Sequence, residues 1–222
     1  MKLIVFDVDG TLVDSQDLII AAQAATFRAH GLEPPSRERS LSIVGLSLVQ
    51  AFRVLMPDGP AESLAEGYKS AFRGLRADPA YHDPLFPGAA ELIAELSRRD
   101  DVVVGIATGK SRRGVAHLVE RHGWERIFAT IQTADDHPSK PHPAMLEKAL
   151  AETGADPRES VMVGDSTFDM AMARAAGIGA VGVSWGYHRA EALRETGAEV
   201  IVSSYRELRD HLHETLFAAT LA

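Results

Sequence analysis

The 222-residue chain contains no cysteine. That excludes disulfides, thiolate nucleophiles and sulfur-ligated metals, and is compatible with a reducing, cytoplasmic setting. It also lacks long apolar runs. Lys2 precedes only Leu3 to Phe6 before Asp7 interrupts, far short of a signal-peptide core, and no stretch approaches membrane-spanning length. Positive charge is scarce: 23 Lys and Arg face 31 Asp and Glu, a formal charge of −8. This balance argues against nucleic-acid or membrane-surface partners, which select basic patches. An anionic substrate would then need positive charge supplied locally, by a lysine, a metal or a helix N-terminus. The nine histidines form no ligand-spaced cluster, so no transition-metal site is expected. Hydrophobic and charged fractions of 45% and 24% are those of a globular protein of one large or two small domains.

The first strand, Leu3 to Phe6, is followed by residues 14–77, which read as helices. Leu18, Ala22, Ala25 and Ala29 recur at helical spacing until Gly31 and Pro34-Pro35. Ser47 with Gln50 forms a candidate capping box ahead of Leu48, Ala51, Phe52, Leu55 and Met56. A third helix is expected over 61–76, and the breaker-rich segment 78–88 reads as a linker. Regular alternation follows. Strands are expected at 102–106, 129–132, 161–163, 180–183 and 199–202. Helices are expected at 89–99, 111–122, 143–152, 167–176, 189–195 and 204–215. Strands alternating with helices, Val/Ile-rich rather than alternating in polarity, imply an α/β fold with a doubly wound parallel sheet. The early helices then form a module inserted after the first strand. Residues 1–14 and 86–222 would make the α/β core, and 15–85 a helical cap over the carboxyl end of the sheet.

Four segments with reactive side chains fall at expected strand ends or helix starts: Asp7-Val8-Asp9-Gly10-Thr11, Thr108-Gly109-Lys110, Lys140-Pro141, and Gly164-Asp165 through Asp169. Loops after adjacent strands of such a sheet converge at one edge. Each segment suits a part of phosphoryl transfer. Asp7 is a candidate nucleophile, and Asp9, two residues on, a candidate general acid and base. Gly10 allows a sharp turn at the strand end. Thr108 and the Gly109 amide, at a helix start, suit phosphate oxygens, and Lys110 adds charge toward the far end of the substrate. Lys140 supplies a fixed positive charge. Asp165 with Asp7 suits Mg²⁺, and Asp169 holds a metal-bound water or orients Lys140. Read singly, these residues are also compatible with helix caps and solvated charges. Trp185 and Tyr187 read as packing at a strand end, and Gly45 and Arg53 as candidates to face the substrate.

Together, in order and over essentially the whole chain, the four segments resemble the motifs of the haloacid-dehalogenase-like hydrolase superfamily. Leu12 to Ser15, Val44 to Ser47 and Trp185 to Tyr187 are similar to its phosphoglycolate-phosphatase-like subgroup. The resemblance implies an α/β core with an inserted helical cap and Mg²⁺-dependent hydrolysis of a small phosphomonoester through an aspartyl-phosphate. It implies Asp7 as nucleophile, Asp9 as acid and base, and the Asp9 carbonyl as a metal ligand beside Asp7 and Asp165. Two positions depart from the pattern: Gly109, where Asn or Ser is more frequent, and Ser47, where Pro is frequent in glycolate-type sequences. The alternatives are a phosphosugar mutase, a dehalogenase attacking carbon, and a receiver-like regulatory protein. A monomer or homodimer is expected.

Overall fold

The computed structural model describes residues 1–78, 80, 81 and 83–217; Pro79 and His82 of the expected linker, and 218–222 of the expected core, lie outside the described residues. Six parallel strands form one sheet in the order β3-β2-β1-β4-β5-β6. They are β1 (Lys2–Phe6), β2 (Val102–Thr108), β3 (Phe128–Thr133), β4 (Ser160–Gly164), β5 (Gly179–Val183) and β6 (Val200–Val202). The order reverses between β1 and β4, which opens a crevice at their carboxyl ends.

Alternation along β1 divides the core. Ile4 and Phe6 face one cluster, with α5 (Ala89–Leu96), α6 (Arg112–His122) and α10 (Tyr205–Leu212). Leu3 and Val5 face the other, with α7 (Ala144–Thr153), α8 (Thr167–Ala176) and α9 (Ala190–Thr196). All four side chains are fully buried, and each large one contributes roughly 1.5–3 kcal/mol.

The chain between β1 and α5 forms a helical layer, termed the cap below, with α1 (Gln16–Ala29), α2 (Arg37–Leu41), α3 (Leu48–Leu55) and α4 (Ala61–Arg76). These pack their own core, centred on Phe27, Phe52, Leu64 and Tyr68. The short α2 has no counterpart in the sequence reading; its five residues, Arg-Glu-Arg-Ser-Leu, carry no apolar period, and its signal is the Ser36 cap accepting from the Arg39 N–H. Ser47 does occupy the N-cap of α3, but its side chain makes no capping bond. Its N–H is instead committed to the core, donating to Ser139 Oγ at 2.9 Å. The expected helix 89–99 ends at Leu96, and β2 runs two residues further than expected, to Thr108.

The chain's two passages between core and cap are bonded to each other. Val13 and Leu85 form an antiparallel bridge, the Asp14 N–H donates to Pro84 O and the Phe86 N–H to Leu12 O. Beside this strap, buried Asp83 accepts from Arg76 at the end of α4 and from Arg121 on α6.

Candidate active site

At the end of β1 the Asp7 N–H is taken by Val163 O of β4, which fixes the side chain at the crevice. The Thr11, Leu12 and Val13 N–H groups all converge on Val8 O, folding the loop back on itself. Gly10 makes this possible: its φ is +87°, and a Cβ there would run into the Asp165 carboxylate.

Asp7 Oδ1 accepts from the Val8 N–H at 2.7 Å and lies 3.0 Å from Lys140 Nζ; Oδ2 is buried with no partner. Lys140, fully buried just before α7, also lies 2.6 Å from Asp169 Oδ1. Asp169 completes a capping box with Ser166 at the start of α8. Asp165, at the end of β4, accepts from Thr11 Oγ1 at 3.0 Å and from the Tyr187 N–H at 2.8 Å. One carboxylate oxygen each of Asp7, Asp165 and Asp169 lies within 4.8 Å of the others. The Asp9 side chain turns away from this trio: Oδ1 accepts from Ser15 Oγ and from Lys110 Nζ, both at 2.7 Å. Thr108 is buried at the end of β2, and Gly109 and Lys110 lead into the α6 N-terminus, capped by Ser111.

Three buried carboxylates around one lysine carry excess negative charge. Burial pushes the Asp7 carboxyl up to about 7; Lys140 counteracts this, while Asp169 adds to it. Burial, with the charges of Asp169 and Asp7, also holds Asp165 well above the usual carboxyl range. Burial works against the Lys140 ammonium, but Asp169 and Asp7 outweigh it and hold that group above its ordinary value. The donor set is all hard oxygen, and Asp7 Oδ2 is an orphaned acceptor within it. Both features fit Mg²⁺, which takes few carboxylates and completes its octahedron with water and substrate oxygens.

A family profile described as Haloacid dehalogenase-like hydrolase matches residues 4–183. The chain belongs to this family. Similar relatives include a "Probable phosphatase IndB" of Dickeya dadantii, 33% identical over 220 residues, covering 96% of this chain and 94% of the relative. A phosphoglycolate phosphatase of Chromobacterium violaceum is 36% identical over 218 residues, covering 95% and 96% of the two chains. Among solved structures, a hydrolase from Pseudomonas syringae superposes with a TM-score of 0.84 at 27% identity, covering 96% and 99%.

In this haloacid dehalogenase-like hydrolase the cap is seated on the acidic loops. A cavity of about 830 Å³ lies between them, reaching Asp7, Asp9 and Thr108 at one end. The cap turn Gly45–Ser47 touches three loops. Gly45 packs on Ser166 and Phe168, Ser47 bonds Ser139, and the Gly45 and Leu46 carbonyls approach Gly109. A Cβ at position 109 would fall 2.5 Å and 2.7 Å from those two oxygens, so the departure from Asn or Ser there matches the seating of the turn. Both signs of charge line the cavity: Lys69, Arg73, Arg76, Lys110 and Arg113 with Asp7, Asp9, Glu66 and Asp135, and Lys69, Arg76 and Lys110 are paired with Glu66, Asp83 and Asp9. Lys110 sits on Asp9 and 5.5 Å from the Phe72 ring of the cap. Arg53 instead pairs with Glu62 on the cap surface.

The sequence reading missed several residues that hold these groups. Ser15 holds Asp9, and the Tyr187 main chain holds Asp165 while its hydroxyl accepts from the Ser15 N–H. Trp185 is packing, stacked near Phe86 and Tyr205, with its indole N–H on Thr11 O. No histidine belongs to the metal-suited trio.

Proposed function

We propose that this hydrolase is a Mg²⁺-dependent phosphatase of small phosphorylated metabolites that works through an aspartyl-phosphate on Asp7. The observation that carries the reading is the unpartnered, buried Oδ2 of Asp7, a carboxylate whose other oxygen lies 3.0 Å from Lys140 Nζ and which clusters with Asp165 and Asp169. The phosphatase names of the relatives support it.

Asp7 attacks phosphorus in line, forming the Asp7–phosphoryl bond as the ester oxygen leaves. Asp9 gives that oxygen its proton. Water then attacks the aspartyl-phosphate, its proton passes to Asp9, and free phosphate and the Asp7 carboxylate are regenerated. Lys140 neutralises phosphoryl oxygens on one side, and Thr108, which accepts from the Lys110 N–H at 3.2 Å, binds them on another together with the Gly109 amide. Lys110 leaves Asp9 for the oxygens of the entering substrate. Mg²⁺ held by Asp7, the Asp9 carbonyl and Asp165, with Asp169 in support, would spread the remaining charge. Residues 15–85 act as the cap domain and residues 1–14 with 86–222 as the core, and Arg73 and Arg113 add positive charge to the cavity wall. Its setting is cytoplasmic; among the described residues no helix is long and apolar enough to cross a membrane.

The test is release of inorganic phosphate from a panel of small phosphomonoesters with Mg²⁺ present. Release that stops on chelation is expected. A folded, Mg²⁺-binding protein that releases none from any member would overturn the proposal, and isomerised sugar phosphate without free phosphate would mark a mutase.

Gly109→Asn is expected to lower kcat/KM about 10- to 100-fold with the fold intact, because the added side chain lifts the cap turn from the phosphate loop and misplaces the reacting groups. Steady-state kinetics with circular dichroism checks this.

A further inference from the structure

Four buried side-chain atoms among the described residues have no hydrogen-bond partner: Asp7 Oδ2, Gln23 Oε1, His122 Nε2 and His188 Nε2. Only Asp7 and Gln23 of these residues line the cavity. The Asp7 oxygen has its use in the reaction above. Gln23 has none.

Gln23 lies on α1 and is 2% exposed. Its Nε2 donates to the Ser40 carbonyl at 3.2 Å. That bond fixes the amide: a flipped group would set oxygen against oxygen, so the acceptor is the end left unpaired. An amide oxygen buried without a donor costs stability, and a Leu or Met of similar size would avoid the cost. The surrounding wall is largely apolar, with Ile19, Ile43, Leu48 and Phe52. Tyr68 of α4 lines the same wall, and its hydroxyl has no protein hydrogen bond among the described residues. The cavity, about 830 Å³, is within the range of pockets that enclose ligands larger than a two-carbon acid.

We propose that Gln23 is a specificity-determining residue that accepts a hydrogen bond from a hydroxyl or N–H of the leaving alcohol. The substrate class is then phosphomonoesters of polyhydroxylated or N–H-bearing alcohols, in preference to esters whose alcohol carries only hydrocarbon or carboxylate. This rests on the phosphatase reading and narrows it. The Gln23 oxygen offers no donor, so a carboxylate tail such as that of phosphoglycolate leaves it unsatisfied.

The test compares matched pairs: glycerol 3-phosphate with propyl phosphate, and ribose 5-phosphate with tetrahydrofurfuryl phosphate, with phosphoglycolate alongside. In the native protein at least one hydroxylated member is expected to exceed its deoxygenated partner about 10-fold or more in kcat/KM, and to exceed phosphoglycolate. Gln23→Leu is expected to bring that ratio within about twofold of unity. The ratio is internal to each protein sample, so a variant that is merely less stable does not move it. If Gln23→Leu fails to fold, Gln23→Met serves in its place. Ratios near unity in the native protein, or a ratio that survives the substitution, would sink the proposal while leaving the phosphatase reading intact. Phosphate release from propyl phosphate reports on that reading separately; no release from any ester would remove both.

Discussion

Asp7→Asn abolishes phosphate release, with kcat down by about 10⁴-fold or more, while raising the stability of the metal-free protein. The first effect follows from the proposed mechanism, in which that oxygen forms the bond to phosphorus: an amide is a poor nucleophile, and residues that act as a unit do not compensate for one another. The second follows from the electrostatics of the buried trio. Burial pushes the Asp7 carboxyl up to about 7. At low pH the folded and unfolded chains both carry the proton, and nothing is lost. From the ordinary carboxyl range upward the unfolded chain has released the proton that the folded chain still holds, so stability falls as pH rises, until the penalty is complete above about 7. Asn is neutral and nearly the same shape. The variant should therefore melt above the parent at pH 8 without metal, and the gap should close toward pH 4. Thermal melts across that range, in chelator and in Mg²⁺, check it. Mg²⁺ should raise the parent's melting temperature more than the variant's, because ligand binding to the folded state adds stability and the variant lacks one of the proposed ligand oxygens.

Lys140→Met gives the opposite pairing: both activity and stability fall. The ammonium lies 3.0 Å from Asp7 and 2.6 Å from Asp169, with all three side chains out of solvent. Removing one partner from a buried ion pair leaves uncompensated charge and costs about 3–5 kcal/mol. The loss should be largest near pH 8. It should shrink in acid, where Asp7 and Asp165, already held above the usual carboxyl range, take up protons instead. Turnover should fall about 10²- to 10³-fold, the scale seen when one preorganised charge-stabilising donor is removed. Denaturant melts at two pH values and steady-state kinetics separate the two effects.

The motif segments were readable because each combines a strand or helix boundary with a residue of defined chemistry. Asp7 and Asp165 directly follow the short buried strand runs Leu3 to Phe6 and Val161 to Gly164, and Lys140 stands before a proline-marked helix start. Period and breakers also exposed the alternation of strands and helices, including α4 over 61–76 and α8 over 167–176. What stayed hidden depends on contacts between distant segments. The Tyr187 contribution to Asp165 runs through a main-chain N–H, which has no side-chain signature. Gly109 looks like a loss from a familiar motif until the cap carbonyls are found against it. Gln23 sits beside Ile19, Ala22 and Thr26 on the buried face of α1, where one polar residue reads as the edge of an apolar stripe. Ser47 supplied the right helix start for the wrong reason, since its bond goes across to Ser139.

The turn carrying Gly45 and Ser47 rests on the loops of Gly109, Ser139 and Ser166 simultaneously. One three-residue turn thus ties together three loops that lie far apart along the chain, and a substitution that displaces it at any one of these contacts strains the other two.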